Sequence, residues 1–171
     1  MNVYIGCALT AVPRKYFQEY TAFIHALARA LRGSGCGKVR YALIDSDPQL
    51  ADKPYEERAR LCYLWDRDMV EQSDALVIDA TFPAIGIGVE LQVAAAKGIP
   101  VVLSFNQALG NRLQPVQYEN PDHSKHDLQI GDGFISLMAL GIPTIFRIVE
   151  YSIPNNGIAD ITEAISLLRR S

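Results

Sequence analysis

Cysteine is scarce in this sequence, neither sign of charge dominates, and no apolar run is long. Each scarcity excludes something. The three cysteines, Cys7, Cys36 and Cys62, are odd in number and widely spaced. They form no CxxC pair and read as reduced thiols, which points to a cytoplasmic protein rather than a disulfide frame. Sixteen Lys and Arg stand against 19 Asp and Glu, a formal net charge of −3. Proteins built to hold nucleic acid or an anionic membrane surface carry a basic excess, so neither partner is expected. No apolar stretch approaches the roughly 18 residues that span a bilayer. Residues 1–6 lack the basic start and apolar core of a signal peptide, and none is expected. With 49% hydrophobic and 20% charged residues the chain is too apolar to be disordered. Its 171 residues make about one domain, 1–171, able to bury a full core.

Short apolar runs alternate with longer amphipathic ones. The runs at 3–9, 39–44, 75–80, 100–105 and 143–149 predict five strands. Between and after them, helices are predicted at 14–32, 54–72, 88–97, 132–140 and 158–170. The first carries Phe17, Tyr20, Ile24, Leu27, Ala28 and Leu31 at helical spacing and stops at Gly33-Ser34-Gly35. Pro54 suits a first-turn position. Strands alternating with helices predict an α/β fold, a flavodoxin-like (Rossmann-like) open sheet of about five parallel strands with helices on both faces. Residues 104–131 are polar with little periodicity, and predict a loop or lid.

In such sheets ligands sit beyond the carboxyl ends of the strands. There the sequence places Gly6, then Asp45, then Asp79, as candidate substrate contacts. After the third strand, Gly86-Ile87-Gly88 opens a helix, whose N–H groups suit a phosphate or a hydroxyl. The third glycine of a dinucleotide fingerprint and the lysine of a P-loop are both absent. Glu90 falls near that helix start, where the dipole is expected to keep it ionised. A glutamate there is also an ordinary stabilising choice, as Asp68 on the preceding helix is an ordinary solvated charge and Tyr4 an ordinary core residue. His123 and His126 form an HxxH in a polar loop, a weak metal signal, and no metal is expected. His25 reads as packing. No GxSxG or activated cysteine is present.

Tyr4-Ile5-Gly6, Asp66-Arg67-Asp68-Met69, Ser73 through Asp79, Gly86-Ile87-Gly88-Val89-Glu90-Leu91 and the GxPV after them resemble the nucleoside 2-deoxyribosyltransferase family. That family includes base-swapping transferases and hydrolases of deoxynucleoside 5′-monophosphates. The match runs mainly over 65–103 and fades after 104. The resemblance implies cleavage of an N-glycosidic bond, of a nucleoside or nucleotide and most naturally a 2′-deoxy one, through a covalent glycosyl ester. It assigns Glu90 as nucleophile, Asp68 as the carboxylate assisting proton transfer, and Tyr4 as the residue orienting Glu90. Gly6, Asp45, Asp79, Ala84, Gly86 and Gly88 would line the substrate. It implies no cofactor, and a homodimer or higher homo-oligomer whose neighbouring subunit completes the site. The sequence departs from the family at Ala84, where transferases often carry Asp and monophosphate hydrolases Ser. The loop Cys7-Ala8-Leu9-Thr10 also lacks the hydrolases' phosphate ligands. A non-catalytic nucleoside or nucleotide sensor on the same fold is the alternative.

Overall fold

The computed structural model describes residues 1–109 and 112–170. The strands of its main sheet are β1 (Val3–Cys7), β2 (Val39–Tyr41), β3 (Ala75–Asp79), β4 (Val101–Asn106) and β7 (Ile145–Tyr151). A separate hairpin pairs β5 (Gln117–Glu119) with β6 (Lys125–Asp127) antiparallel. The long helices are α1 (Phe17–Gly33), α4 (Tyr55–Glu71), α5 (Ile85–Lys97) and α7 (Pro154–Leu168), and the short ones α2 (Ala42–Asp45), α3 (Asp47–Leu50) and α6 (Leu137–Leu140). The main sheet is parallel throughout, in the order β2-β1-β3-β4-β7. This is the flavodoxin-like arrangement, with its switch point between β1 and β3.

Central parallel strands are covered on both faces, so they read as unbroken apolar runs. Accordingly, every residue of β3 and β4 is buried. Helix α1 lays Tyr20, Phe23, Ile24, Leu27, Ala28 and Leu31 into the core. It packs with α7, while α4 packs with α5. Helix α5 ends at Gly98, whose φ of 69° is left-handed and cheap only for glycine.

The structure departs from the sequence expectations in several places. The second strand stops at Tyr41, because the Asp45 carboxylate accepts the Tyr41 N–H at 2.9 Å and residues 42–45 coil into α2. Pro54 precedes α4 rather than lying within its first turn. The helix expected over 132–140 shrinks to α6, since Gly133 has a φ of 87° and Ser136 Oγ accepts the Ala139 N–H. The stretch 104–131 holds the end of β4 and the β5–β6 hairpin; Gly110 and Asn111 lie outside the described residues. Among the described residues no helix is long and apolar enough to cross a membrane.

Candidate active site

Strand alternation decides what β1 and β3 offer to each side. Tyr4 and Gly6 share the face of β1 that meets α5. Tyr4 is fully buried, and its hydroxyl donates to Glu90 Oε1 at 2.8 Å. A Cβ on Gly6 would collide with Glu90 Oε2 and with the Ile78 side chain. Glycine is needed there so that the carboxylate can lie against the strand backbone. Glu90 Oε2 is enclosed and accepts no hydrogen bond among the described residues. A buried carboxylate with one free oxygen is costly to keep ionised. Burial pushes the Glu90 carboxyl up to about 8, against the opposing Tyr4 hydrogen bond and with a further upward push from Asp66. This corrects the expectation of a dipole-stabilised anion. Helix α5 begins at Ile85, so Glu90 lies in its second turn, beyond the terminal N–H groups.

Asp66, rather than Asp68, faces Glu90 across a cleft of about 220 Å³ between α4 and α5, lined also by Cys62, Tyr63, Gly86 and Val89. Two residues along a helix are about 200° apart, so the two aspartates point to nearly opposite sides. Asp68 is exposed, accepts a hydrogen bond from Gln72 Nε2 at 2.6 Å, and lies with Asp45, Lys38, Arg40 and Trp65 in a separate cleft. Asp66 Oδ1 accepts from Ser46 Oγ at 2.7 Å and Oδ2 from the Cys62 thiol at 3.5 Å. Burial raises the Asp66 carboxyl above its usual range, and those two hydrogen bonds oppose the rise. Arg67 also lines the Glu90 cleft, but it approaches Glu71 at 3.5 Å and lies over the Tyr63 ring. Among the described residues no ion pair neutralises Glu90 or Asp66. Two unneutralised carboxyl groups suit a reaction that develops positive charge between them.

Asp79 is not brought to Glu90. Its side chain points to the opposite face of the sheet, where it is fully buried. There it accepts from Tyr151 at 2.8 Å, Ser104 and Tyr20 at 3.1 Å, and the Thr81 N–H at 3.2 Å. Asp45 accepts the Tyr41 N–H and lines the cleft of Asp68 rather than that of Glu90. Ala84 is the N-cap of α5, and Gly86 and Gly88 lie exposed in its first turn. A Cβ at either glycine would meet nothing within 4 Å, so packing does not require glycine at these positions. The histidines are accounted for locally: His25 bonds Tyr41, His123 bonds Glu119 and His126 bonds Ser124. Among the described residues no cluster of His, Cys, Asp and Glu is placed to hold a metal ion.

The phase of α4 could have found Asp66. It lies four residues after Cys62 and four before Val70, one of the two buried residues of that helix, whereas Asp68 precedes Gln72 by four. Ser46, 1% exposed and bonded to Asp66, had no motif to mark it.

No protein-family model matches the chain, and no curated protein matches it in sequence. The fold is shared with solved structures. The CMP N-glycosidase BcmB of Clostridium botulinum superimposes with a TM-score of 0.55 at 14% identity, over 94% of this chain and 97% of that one. A conserved protein from Enterococcus faecalis V583 superimposes with a TM-score of 0.56 at 19% identity, over 95% and 97%. A 2-deoxyribosyltransferase from Bacillus psychrosaccharolyticus overlaps more loosely, with a TM-score of 0.45 at 18% identity over 67% and 77%, and adds nothing to the fold assignment.

Proposed function

We propose that this chain is an enzyme that cleaves the N-glycosidic bond of a nucleoside or nucleotide, with retention, through a glycosyl ester on Glu90. The observation that carries the reading is the Glu90 carboxyl itself. One oxygen is fixed by Tyr4 at 2.8 Å, and the other is enclosed, without a hydrogen-bond partner among the described residues, and set over Gly6. The shared fold with a protein whose known activity is CMP N-glycosidase supports the reading.

The pair works with one proton between its two carboxyls. Ionised Glu90 attacks the anomeric carbon through Oε2 while the bond to the base nitrogen breaks. The bonding electrons leave with the base, which takes the proton from Asp66. Asp66 thus takes the role the resemblance gave to Asp68. Two carboxylates serving as nucleophile and acid is the logic of retaining glycosidases. Water or a second base then attacks the same carbon, releases Glu90, and returns a proton to Asp66. Tyr4 stays a neutral donor, because burial and then Glu90 hold its hydroxyl well above the usual range. The open space over Gly86 suits the sugar or its 5′ substituent.

The reading includes a homo-oligomer. Beside the cleft, α5 and α6 expose Ile85 (90%), Val89 (41%) and Met138 (90%), an apolar face suited to a second copy. A monomer by analytical ultracentrifugation would overturn that part.

The activity is tested by chromatography of deoxynucleosides, ribonucleosides and their 5′-monophosphates, with and without a second free base, beside Glu90→Ala. Base release that depends on Glu90 is expected. Saturable binding without release would replace the enzyme by a non-catalytic nucleoside-binding protein.

A further inference from the structure

Two side chains that the mechanism leaves unused hold the proton donor. Asp66 sits on α4, and each of its carboxyl oxygens is met by a donor of its own. Ser46, 1% exposed in the turn between α2 and α3, donates its hydroxyl to Oδ1 at 2.7 Å. Cys62, one turn earlier on α4 and part of the cleft wall, donates its thiol to Oδ2 at 3.5 Å. We propose that Ser46 and Cys62 are positioning residues for Asp66: they fix its carboxyl toward Glu90 and take up the negative charge left on it when its proton passes to the leaving base. The inference rests on the reading of Asp66 as the proton donor.

The chemistry balances without a further reactant. The proton leaves Asp66 for the base nitrogen, and the Ser46 O–H and Cys62 S–H remain intact throughout. Donors aimed at the atom where charge develops lower the barrier because they need not reorganise. A thiol does this only while it keeps its hydrogen. Burial, reinforced by Asp66, pushes the Cys62 thiol up to about 11, so it is a donor and not a nucleophile at neutral pH. Among the described residues, Glu90 from α5, Tyr4 and Cys7 from β1, and Asp47 from α3 act electrostatically with Asp66, and Tyr63 and Arg67 of α4 share its cleft, with Arg67 turned to Glu71 and the Tyr63 ring. Arg67, the cation of that cleft, pairs with Glu71, and the side-chain hydrogen bonds to Asp66 come from Ser46 and Cys62.

The test uses Ser46→Ala, Cys62→Ala and the conservative variants Ser46→Thr and Cys62→Ser. Two readouts are needed: the pH profile of kcat/KM, and the titration of the Asp66 carboxyl carbon by NMR. Loss of a hydrogen bond to a charged group is expected to move the Asp66 titration upward by about one to two pH units. The acid limb of the profile should move with it, while KM changes little. The conservative variants should restore both. Cys62→Ala, at the cleft wall, keeps the test open where Ser46→Ala fails to fold. Base release by the wild type, with the Asp66 titration unmoved in a folded alanine variant, overturns the inference and leaves the enzyme reading standing. No base release by the wild type overturns the reading itself, and with it the role assigned to the pair.

Discussion

Replacing Glu90 with Gln should make the protein more stable, and increasingly so as pH rises. The native carboxyl titrates at about 8 against an ordinary 4.5. A carboxyl raised on folding costs nothing below the unfolded value, and its cost grows as pH climbs to the folded one. At 1.36 kcal/mol per unit, linkage puts the cost at about 1 kcal/mol at pH 5, about 3 at pH 7 and about 5 at pH 9. These are upper bounds, because a pocket that loosens admits water to the charge. Glutamine matches the shape of the protonated acid and still accepts from Tyr4, so it removes the titration and little else. The stability gap between variant and wild type should therefore widen by up to about 4 kcal/mol between pH 5 and pH 9. In melting temperature that is roughly 8–16 °C for a domain of this size. Thermal melts by circular dichroism at both pH values read it directly. A gap that stays constant to within about 1 kcal/mol would refute the claim that Glu90 sits desolvated.

Turnover should show a bell-shaped pH profile: below its acid limb both carboxyls are protonated and Glu90 cannot attack. Above about 8 both are ionised and no proton remains for the base, so a rate still rising at pH 9 would contradict the shared proton. Tyr4→Phe removes the 2.8 Å hydrogen bond and should lower kcat roughly 10- to 100-fold in a folded protein, as steady-state kinetics will show. Asp66→Asn should lose most base release and Asp68→Asn little, a comparison in one assay that the opposite result would invert.

Much of the architecture was legible because parallel strands announce themselves. The run Ala75-Leu76-Val77-Ile78 admits few other homes, and the glycine stops after α1 and α5 lie where the sequence puts them. Boundaries failed where an apolar run had two options. Ala42-Leu43-Ile44 could extend β2, and a single hydrogen bond from the Tyr41 N–H to Asp45 marks the turn into helix instead. At the site, Glu90 and Tyr4 were named through a family resemblance, and the structure brings them within hydrogen-bonding distance. Asp68 was named through the same resemblance, but it lines another cleft while Asp66 faces Glu90, a difference that the motif Asp-Arg-Asp alone does not mark and the phase of α4 does. Asp79 was placed in the site because it ends a strand, but its position in the alternation turns it to the other face.

That buried Asp79 has a consequence for how the chain finds one fold among near copies of it. Strands apolar on both faces can slide past one another by a residue with little loss of burial, so hydrophobic pattern alone indexes them weakly. Asp79 pairs with Cys7 on one side and Ser104 on the other, and it is reached by hydroxyls from α1, β4 and β7. A slip of one position in β3 would strand the carboxyl away from all of them. Asp79 therefore works as an index mark, stabilising the correct alignment less than it penalises every neighbouring one.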